Sequence, residues 1–199
     1  MRVIILGKAP MAGRVKTRLM PEYSAEEAAK LHTLMMQIVL EKACACFEHV
    51  WLAADDIHHE VIKSLVSRFK VELHAQAAGD LGNRLQKLMY ASFDMDDEPI
   101  MFLGTDSPHV GIQRYKDAEA ALVRYDIVIG AVEDGGYDLI ALKQNTPELF
   151  DNIDWGSESV LTQTLNHIKA LGLDAKVLHV LFDLDRPEDL KRAPPSSWL

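Results

Sequence analysis

Asp106 commands first notice because of where it falls. The run Ile100-Met101-Phe102-Leu103 is continuously apolar and ends at once in Gly104-Thr105-Asp106-Ser107-Pro108. Four apolar residues bounded by turn formers predict a strand buried on both faces. Gly104 lets the backbone turn or a ligand come close, and Pro108 stops the extended run. A carboxylate at the carboxyl end of a central strand stands where open α/β sheets bind their ligands. There it can accept hydrogen bonds or hold a hard cation such as Mg²⁺ or Mn²⁺. It can equally be no more than the cap of the helix that follows.

The second chemically loaded stretch, Lys8-Ala9-Pro10-Met11-Ala12-Gly13-Arg14-Val15-Lys16-Thr17-Arg18, directly follows the apolar run Val3–Leu6. Lys16-Thr17 near a glycine invites comparison with a phosphate-binding P-loop. That motif needs Gly-Lys-Thr contiguous, and here Arg14 and Val15 separate Gly13 from Lys16. What remains is a cationic loop at a strand end, chemically suited to a diphosphate. Arg18 can fork onto phosphate oxygens and Lys16 can act as a point charge. A solvated surface loop is the plainer alternative.

Four further stretches set carboxylates or an aromatic among turn-forming or helix-starting residues. In Gly79-Asp80-Leu81-Gly82-Asn83-Arg84, Asp80 suits a helix N-cap, and Arg84 one turn later would point towards the same ligand edge. Glu133-Asp134-Gly135-Gly136-Tyr137 is either an ordinary turn or a pair of acids set to serve an acceptor hydroxyl as base. Trp155, in Ile153-Asp154-Trp155-Gly156-Ser157, either packs a sugar or acceptor face or plugs the core. In Asp183-Leu184-Asp185-Arg186-Pro187-Glu188-Asp189-Leu190, Pro187 and the acids after it suit a first helical turn. Asp183 and Asp185 share one face of an extended backbone, and a second carboxylate meeting Asp106 would complete a divalent-cation site. The eight histidines form no metal-ligand pattern and read as surface or packing residues.

The elements that must position these residues alternate along the chain. Strands are predicted at Val3–Leu6, Val50–Ala53, Val71–His74, Ile100–Leu103, Asp126–Ala131, Tyr137–Leu142 and Lys176–Val180. Helices are predicted from a Ser24/Glu27 capping box to about Phe47, over Ile57–Phe69, Leu81 to Phe93, Gln113 to Val123, Glu158–Leu171, and from Pro187. Such alternation predicts an α/β fold, with a mostly parallel central sheet covered by helices on both faces. The link Glu133–Gly136 is too short for a parallel crossover, so a local antiparallel segment is expected after residue 132. Pro194–Ser197 reads as a frayed tail.

A length of 199 residues suits one domain over 1–199, with no repeat or linker to divide it. A net charge of −9 argues against a nucleic-acid or anionic-membrane surface, and no apolar run approaches a membrane span. The apolar part of Met1–Gly7 is too short for a signal sequence and reads better as a first strand. Cys44 and Cys46 are expected to be small buried groups in a reducing compartment, which makes the expected location cytoplasmic.

Taken in order, Pro10-x-x-Gly13-x-Val15-Lys16-Thr17-Arg18-Leu19, Gly79-Asp80-Leu81-Gly82-x-Arg84, Gly104-Thr105-Asp106-Ser107-Pro108, Glu133–Tyr137, Trp155-Gly156-Ser157 and Asp183-x-Asp185-x-Pro187-Glu188-Asp189-Leu190 span nearly the whole chain. The series resembles the small bacterial glycosyltransferase-like proteins of the nucleotide-diphospho-sugar transferase superfamily, which have a GT-A type fold. It is also similar to the guanylyltransferases of molybdenum-cofactor and deazaflavin-cofactor synthesis. The resemblance implies a metal-dependent transferase that binds a nucleotide sugar and passes the glycosyl group to a small-molecule acceptor. The alternatives are a nucleotidyltransferase that releases pyrophosphate from a nucleoside triphosphate, and a non-catalytic nucleotide-binding module. Nucleotide and phosphates would lie on Lys8, Pro10, Gly13, Lys16, Arg18, Asp80, Arg84 and Thr105. Asp106 and Asp185 would hold Mg²⁺ or Mn²⁺, although Gly104 stands where a full Asp-x-Asp has its first acid. Glu133 and Asp134 would be catalytic, beside an acceptor lined by Gly135, Gly136, Tyr137 and Trp155.

Overall fold

The computed structural model describes residues 1–198. Strands β1 (Arg2–Gly7), β2 (His49–Ala54), β3 (Glu72–Ala75), β4 (Ile100–Leu103), β5 (Ile127–Val132), β6 (Tyr137–Leu142) and β7 (Ala175–Leu181) form one sheet in the order β3-β2-β1-β4-β6-β5-β7. β1 runs parallel to β2 and β4, β2 to β3, and β5 to β7. β6 is antiparallel to both β4 and β5, the local antiparallel segment that the short link requires. The chain leaves β1 towards β2 on one side, while β4 pairs on the other. The carboxyl ends of β1 and β4 therefore border a topological switch point, where ligands enter such sheets.

Alternation along the strands divides the core into two layers. Val3, Ile5, Leu52, Met101 and Leu103 face α1 (Ala25–Cys46), α2 (Glu60–Phe69) and α4 (Ile112–Ala121). Ile4, Trp51, Ile100, Phe102 and Ile140 face α3 (Leu81–Phe93) and α5 (Val160–Ala170). A smaller cluster joins Leu19 and the outer face of α1 to α6 (Pro187–Arg192) and Trp198. That cluster corrects the expectation of a frayed tail. Trp198 is fully buried and its indole N–H donates to the Ala193 carbonyl at 2.9 Å, so an aromatic anchor outweighs the local Pro and Ser content. α2 also starts later than its apolar pattern suggests, because Asp56 accepts from the His58 N–H and His59 takes the N-cap. Among the described residues no helix is long and apolar enough to cross a membrane.

The helix that carries the most core contacts starts as its sequence predicts. Ser24 Oγ accepts from the Glu27 N–H at 3.2 Å, and the Glu27 carboxylate accepts from the Ser24 N–H at 2.8 Å. Ser24→Ala is expected to cost about 1 kcal/mol of stability in urea denaturation, the usual worth of such a cap.

Candidate functional site

The cationic loop after β1 folds back over the ends of β1 and β4. Tight turns close it, with Met11 N–H donating to the Ala9 carbonyl and Arg14 N–H to Met11, and Asp55 accepts from the Ala9 N–H at 2.6 Å. Gly13 takes φ +77°, a left-handed value that favours glycine. Beneath the loop lies a cleft of about 300 Å³, lined among others by Lys8, Arg14, Arg18, His32, Thr105 and Asp106.

Lys16 stands at its centre. Its side chain is only 5 % exposed; its ammonium donates to Asp185 Oδ1 at 2.7 Å and the Leu184 carbonyl at 2.9 Å, and pairs with Asp106 Oδ1 at 2.8 Å. The Lys16 backbone is itself left-handed, at φ 47° and ψ 41°, an uncommon conformation for lysine. Burial pulls the Lys16 pKa down, but the Asp106 and Asp185 carboxylates outweigh it and hold it above the ordinary lysine value. For Asp106 burial pushes the other way, and Lys16 more than offsets it, so its pKa lies below the usual carboxylate value. The loop after β4, the β7–α6 connection and the first loop thus meet at one ammonium.

The other cations remain available. Lys8 and Arg14 are exposed, and Arg18, with a side chain 61 % exposed, reaches Asp185 Oδ2 at 3.2 Å from its outer side. Such weakly held exposed pairs contribute little to stability, so the guanidinium is free to turn towards a phosphate. His32 is a functional candidate the sequence reading passed over. It is 4 % exposed in the middle of α1, its Nε2 lies 3.1 Å from the Lys8 carbonyl, and its Nδ1 has no partner among the described residues. Burial holds its pKa below the ordinary imidazole value against the pull of Asp106. A histidine amid an otherwise core-facing helical pattern, among Ala28, Met35 and Val39, was the available signal.

A second crevice of about 380 Å³ opens beside the first and shares Arg18 and Asp185 with it. Glu133, Asp134, Glu158 and Asp183 line it. Glu133 is held by a two-pronged pair with Arg192, each contact at 2.8 Å, whereas no ion pair among the described residues involves Asp134. Asp134 Oδ1 accepts from the Gly136 N–H at 2.9 Å. Gly135, at φ +86°, packs where any Cβ would strike the Glu158 backbone, so the hairpin turn is pinned to the segment before α5.

Asp183 accepts from Ser107 Oγ. Burial raises its pKa to about 7 despite that bond, and the Asp106, Asp138 and Asp134 carboxylates add to the rise. A carboxyl raised above its ordinary 3.8 contributes full stability below that value and loses it as pH climbs to about 7. Melting temperatures at pH 4 and pH 8 should therefore fall less in Asp183→Asn than in the wild type. Equal falls would show that the drop has another source.

The remaining candidate residues sit outside both crevices. Asp80 caps α3 by accepting from the Asn83 N–H at 2.8 Å. Arg84 donates to Gln76 Oε1 at 3.3 Å, and Gln76 in turn donates to the Gly7 and Ala53 carbonyls at the ends of β1 and β2. Tyr137 lines a small apolar cavity that shares Leu6 and Gly104 with the main cleft. Trp155 stacks edge-on to Tyr137 at 6.4 Å and covers Gly82, where a Cβ would lie 2.8 Å from its indole nitrogen. Its packing is that of a plug over α3.

The family described as "Uncharacterized protein conserved in bacteria (DUF2064)" matches residues 37–157, more than half of the chain. No curated protein matches in sequence. Among solved structures, a protein of Desulfovibrio desulfuricans G20, provisionally assigned as a nucleotide-diphospho-sugar transferase, is 23% identical with a TM-score of 0.86 over 100% of this chain and 94% of that one. CMP:2-keto-3-deoxy-manno-octonic acid synthetase, solved with CTP, is 11% identical with a TM-score of 0.61, covering 96% of this chain and 95% of that one. The 4-diphosphocytidyl-2C-methyl-D-erythritol synthase of Anaerococcus prevotii DSM 20548 is 13% identical with a TM-score of 0.62, covering 96% and 94%. These likenesses establish the fold.

Proposed function

This chain belongs to the DUF2064 family, and we propose that it is a transferase acting on a nucleotide whose phosphates lie in the cleft between β1 and β4. One observation carries the reading: cations of the first loop and the acids Asp106 and Asp185 converge on a single cleft at the switch point of a nucleotide-diphospho-sugar transferase fold. Lys8, Arg14 and Arg18 would bind phosphate oxygens by charge-assisted hydrogen bonds. Asp106 and Asp185 fit a hard divalent cation. Both side chains are partly exposed, at 43 % and 30 %, and they share one ammonium, so their oxygens lie close together. Two carboxylates plus phosphate oxygens and water are the usual shell of Mg²⁺. When bound, the ion would neutralise charge on the departing phosphate.

The second crevice is the place for the acceptor. Asp134, unlike Glu133, has a carboxylate that no arginine occupies, and it is the group to orient an acceptor hydroxyl and take its proton. In glycosyl transfer that hydroxyl bonds to the sugar carbon, the carbon–phosphate oxygen bond breaks, and nucleoside diphosphate leaves. The likeness to two cytidylyl-transferring enzymes supports a second reading, in which the acceptor oxygen attacks the α-phosphorus of a triphosphate and pyrophosphate leaves. Incubation with sugar nucleotides and with nucleoside triphosphates over an acceptor panel decides between them. Diphosphate release from a sugar nucleotide supports glycosyl transfer, and pyrophosphate release supports nucleotidyl transfer. Binding of neither ligand class in a thermal-shift screen would overturn the nucleotide assignment.

A further inference from the structure

We propose that Lys16 is a built-in counter-cation that keeps the paired carboxylates closed to free divalent metal and yields them to a metal–phosphate complex. The inference rests on the functional reading above and adds an order of events to it.

An ammonium has three protons and no lone pair; Lys16 donates to Asp185 and to the Leu184 carbonyl, at 2.7 and 2.9 Å, and its charge is held 2.8 Å from Asp106 Oδ1 as an ion pair. Its side chain is almost wholly buried, so the ammonium is committed to these three oxygens while the contacts stand. The two carboxylates that would share a divalent ion share this nitrogen instead. Three separate segments, the first loop, the turn after β4 and the β7–α6 connection, are tied at that point. The left-handed backbone at Lys16 is the kind of local strain that persists where surrounding contacts over-determine it.

Two consequences follow from electrostatics. A free Mg²⁺ or Mn²⁺ approaching Asp106 and Asp185 must displace a cation that is already paired and desolvated, against like-charge repulsion from Lys16, Lys8, Arg14 and Arg18 around the same cleft. A metal ion arriving on a diphosphate meets a different balance. The phosphate brings negative charge and acceptor oxygens, which give the displaced ammonium somewhere to go within the same cleft. Lys16 would then turn from the carboxylates to the phosphate, the contact that its place in the cationic loop suggests from sequence. Metal and phosphate ligand thereby bind with positive coupling, and by linkage each strengthens the other by the same factor.

Mn²⁺ binding followed by electron paramagnetic resonance tests this without any turnover. In nucleotide-free protein, Lys16→Met is expected to bind Mn²⁺ at least tenfold more tightly than the wild type. The gain should vanish in Lys16→Met/Asp106→Asn, which places the ion on these carboxylates. Unchanged or weaker Mn²⁺ binding in a folded Lys16→Met protein, checked by circular dichroism, overturns the proposal. If that variant does not fold, the wild type supplies the answer. A slowly exchanging Lys16 ammonium resonance should survive Mg²⁺ alone and be lost or shifted when Mg²⁺ is added with pyrophosphate. Loss with Mg²⁺ alone, or persistence with both, also overturns it. The nucleotide reading fails separately, if a panel of nucleoside di- and triphosphates with Mg²⁺ leaves the wild-type melting temperature unmoved.

Discussion

Asp106→Asn is expected to lower the affinity for a metal–nucleotide complex at least about 100-fold, or about 2.8 kcal/mol, while leaving the fold in place. The size of the loss follows from what the side chain does. Asp106 is one of two carboxylates in the cleft that can meet a divalent cation, and an amide oxygen carries no net charge to replace it. The survival of the fold follows from what the backbone does. The contact that ties this turn to the β7–α6 connection is the Leu184 N–H donating to the Asp106 carbonyl at 2.9 Å, and asparagine keeps that carbonyl. Lys16 also keeps both of its hydrogen-bond acceptors, Asp185 and the Leu184 carbonyl. Thermal melts should therefore shift by no more than the small amount typical of a partly exposed ion pair. Calorimetric titration with nucleotide in Mg²⁺ and in EDTA reads the functional effect. Metal-dependent affinity equal to the wild type would remove Asp106 from any metal role.

Asp106 also shows why so much was readable from sequence. A short, fully apolar run that stops in Gly-Thr-Asp-Ser-Pro encodes a buried central strand and the turn at its carboxyl end in nine adjacent residues. The same local economy fixed the α1 capping box and the antiparallel β6, whose four-residue link permitted nothing else. What the sequence withheld was long-range. Insertion of β6 between β4 and β5 brings residues some forty apart into register, and no local pattern specifies that neighbour. Lys16 was legible as a loop cation, but its capture by Asp185 spans 169 positions. Trp155 and Asp80 each have a structural and a functional reading; the structural part is visible, Trp155 lying over Gly82 through long-range packing and Asp80 capping α3 locally. Arg114 and Asp138 were missed outright. A lone acid inside Tyr137–Leu142, where every other residue is apolar, was a signal that something buried must balance it.

That pair yields the largest stability effect expected in the molecule. Asp138 is 8% exposed and Arg114 4%, and the guanidinium reaches the carboxylate through Nε at 2.9 Å and Nη2 at 3.0 Å. Arg114 also donates to the His179 and Ala131 carbonyls, so one side chain of α4 fastens β5, β6 and β7. Gly130 exists to admit it, since a Cβ there would collide with both partners, and the β5 register shifts at that residue. Asp138→Ala would leave a buried guanidinium with half its contacts and no counter-charge, and should cost about 3–5 kcal/mol in urea denaturation. Replacing both partners, as Arg114→Met/Asp138→Leu, should cost much less than the single change, because the penalty lies in the unpaired charge and not in loss of the pair as such. The link from this pair to the cleft is a backbone one, the Gly104 N–H donating to the Asp138 carbonyl at 3.0 Å, two residues before Asp106, and alanine keeps that carbonyl. Asp138→Ala should therefore lose nucleotide binding only in step with the loss of folded protein, and the double replacement should restore both together. A single variant as stable as the wild type would show that the pair is hydrated and does not hold this end of the sheet.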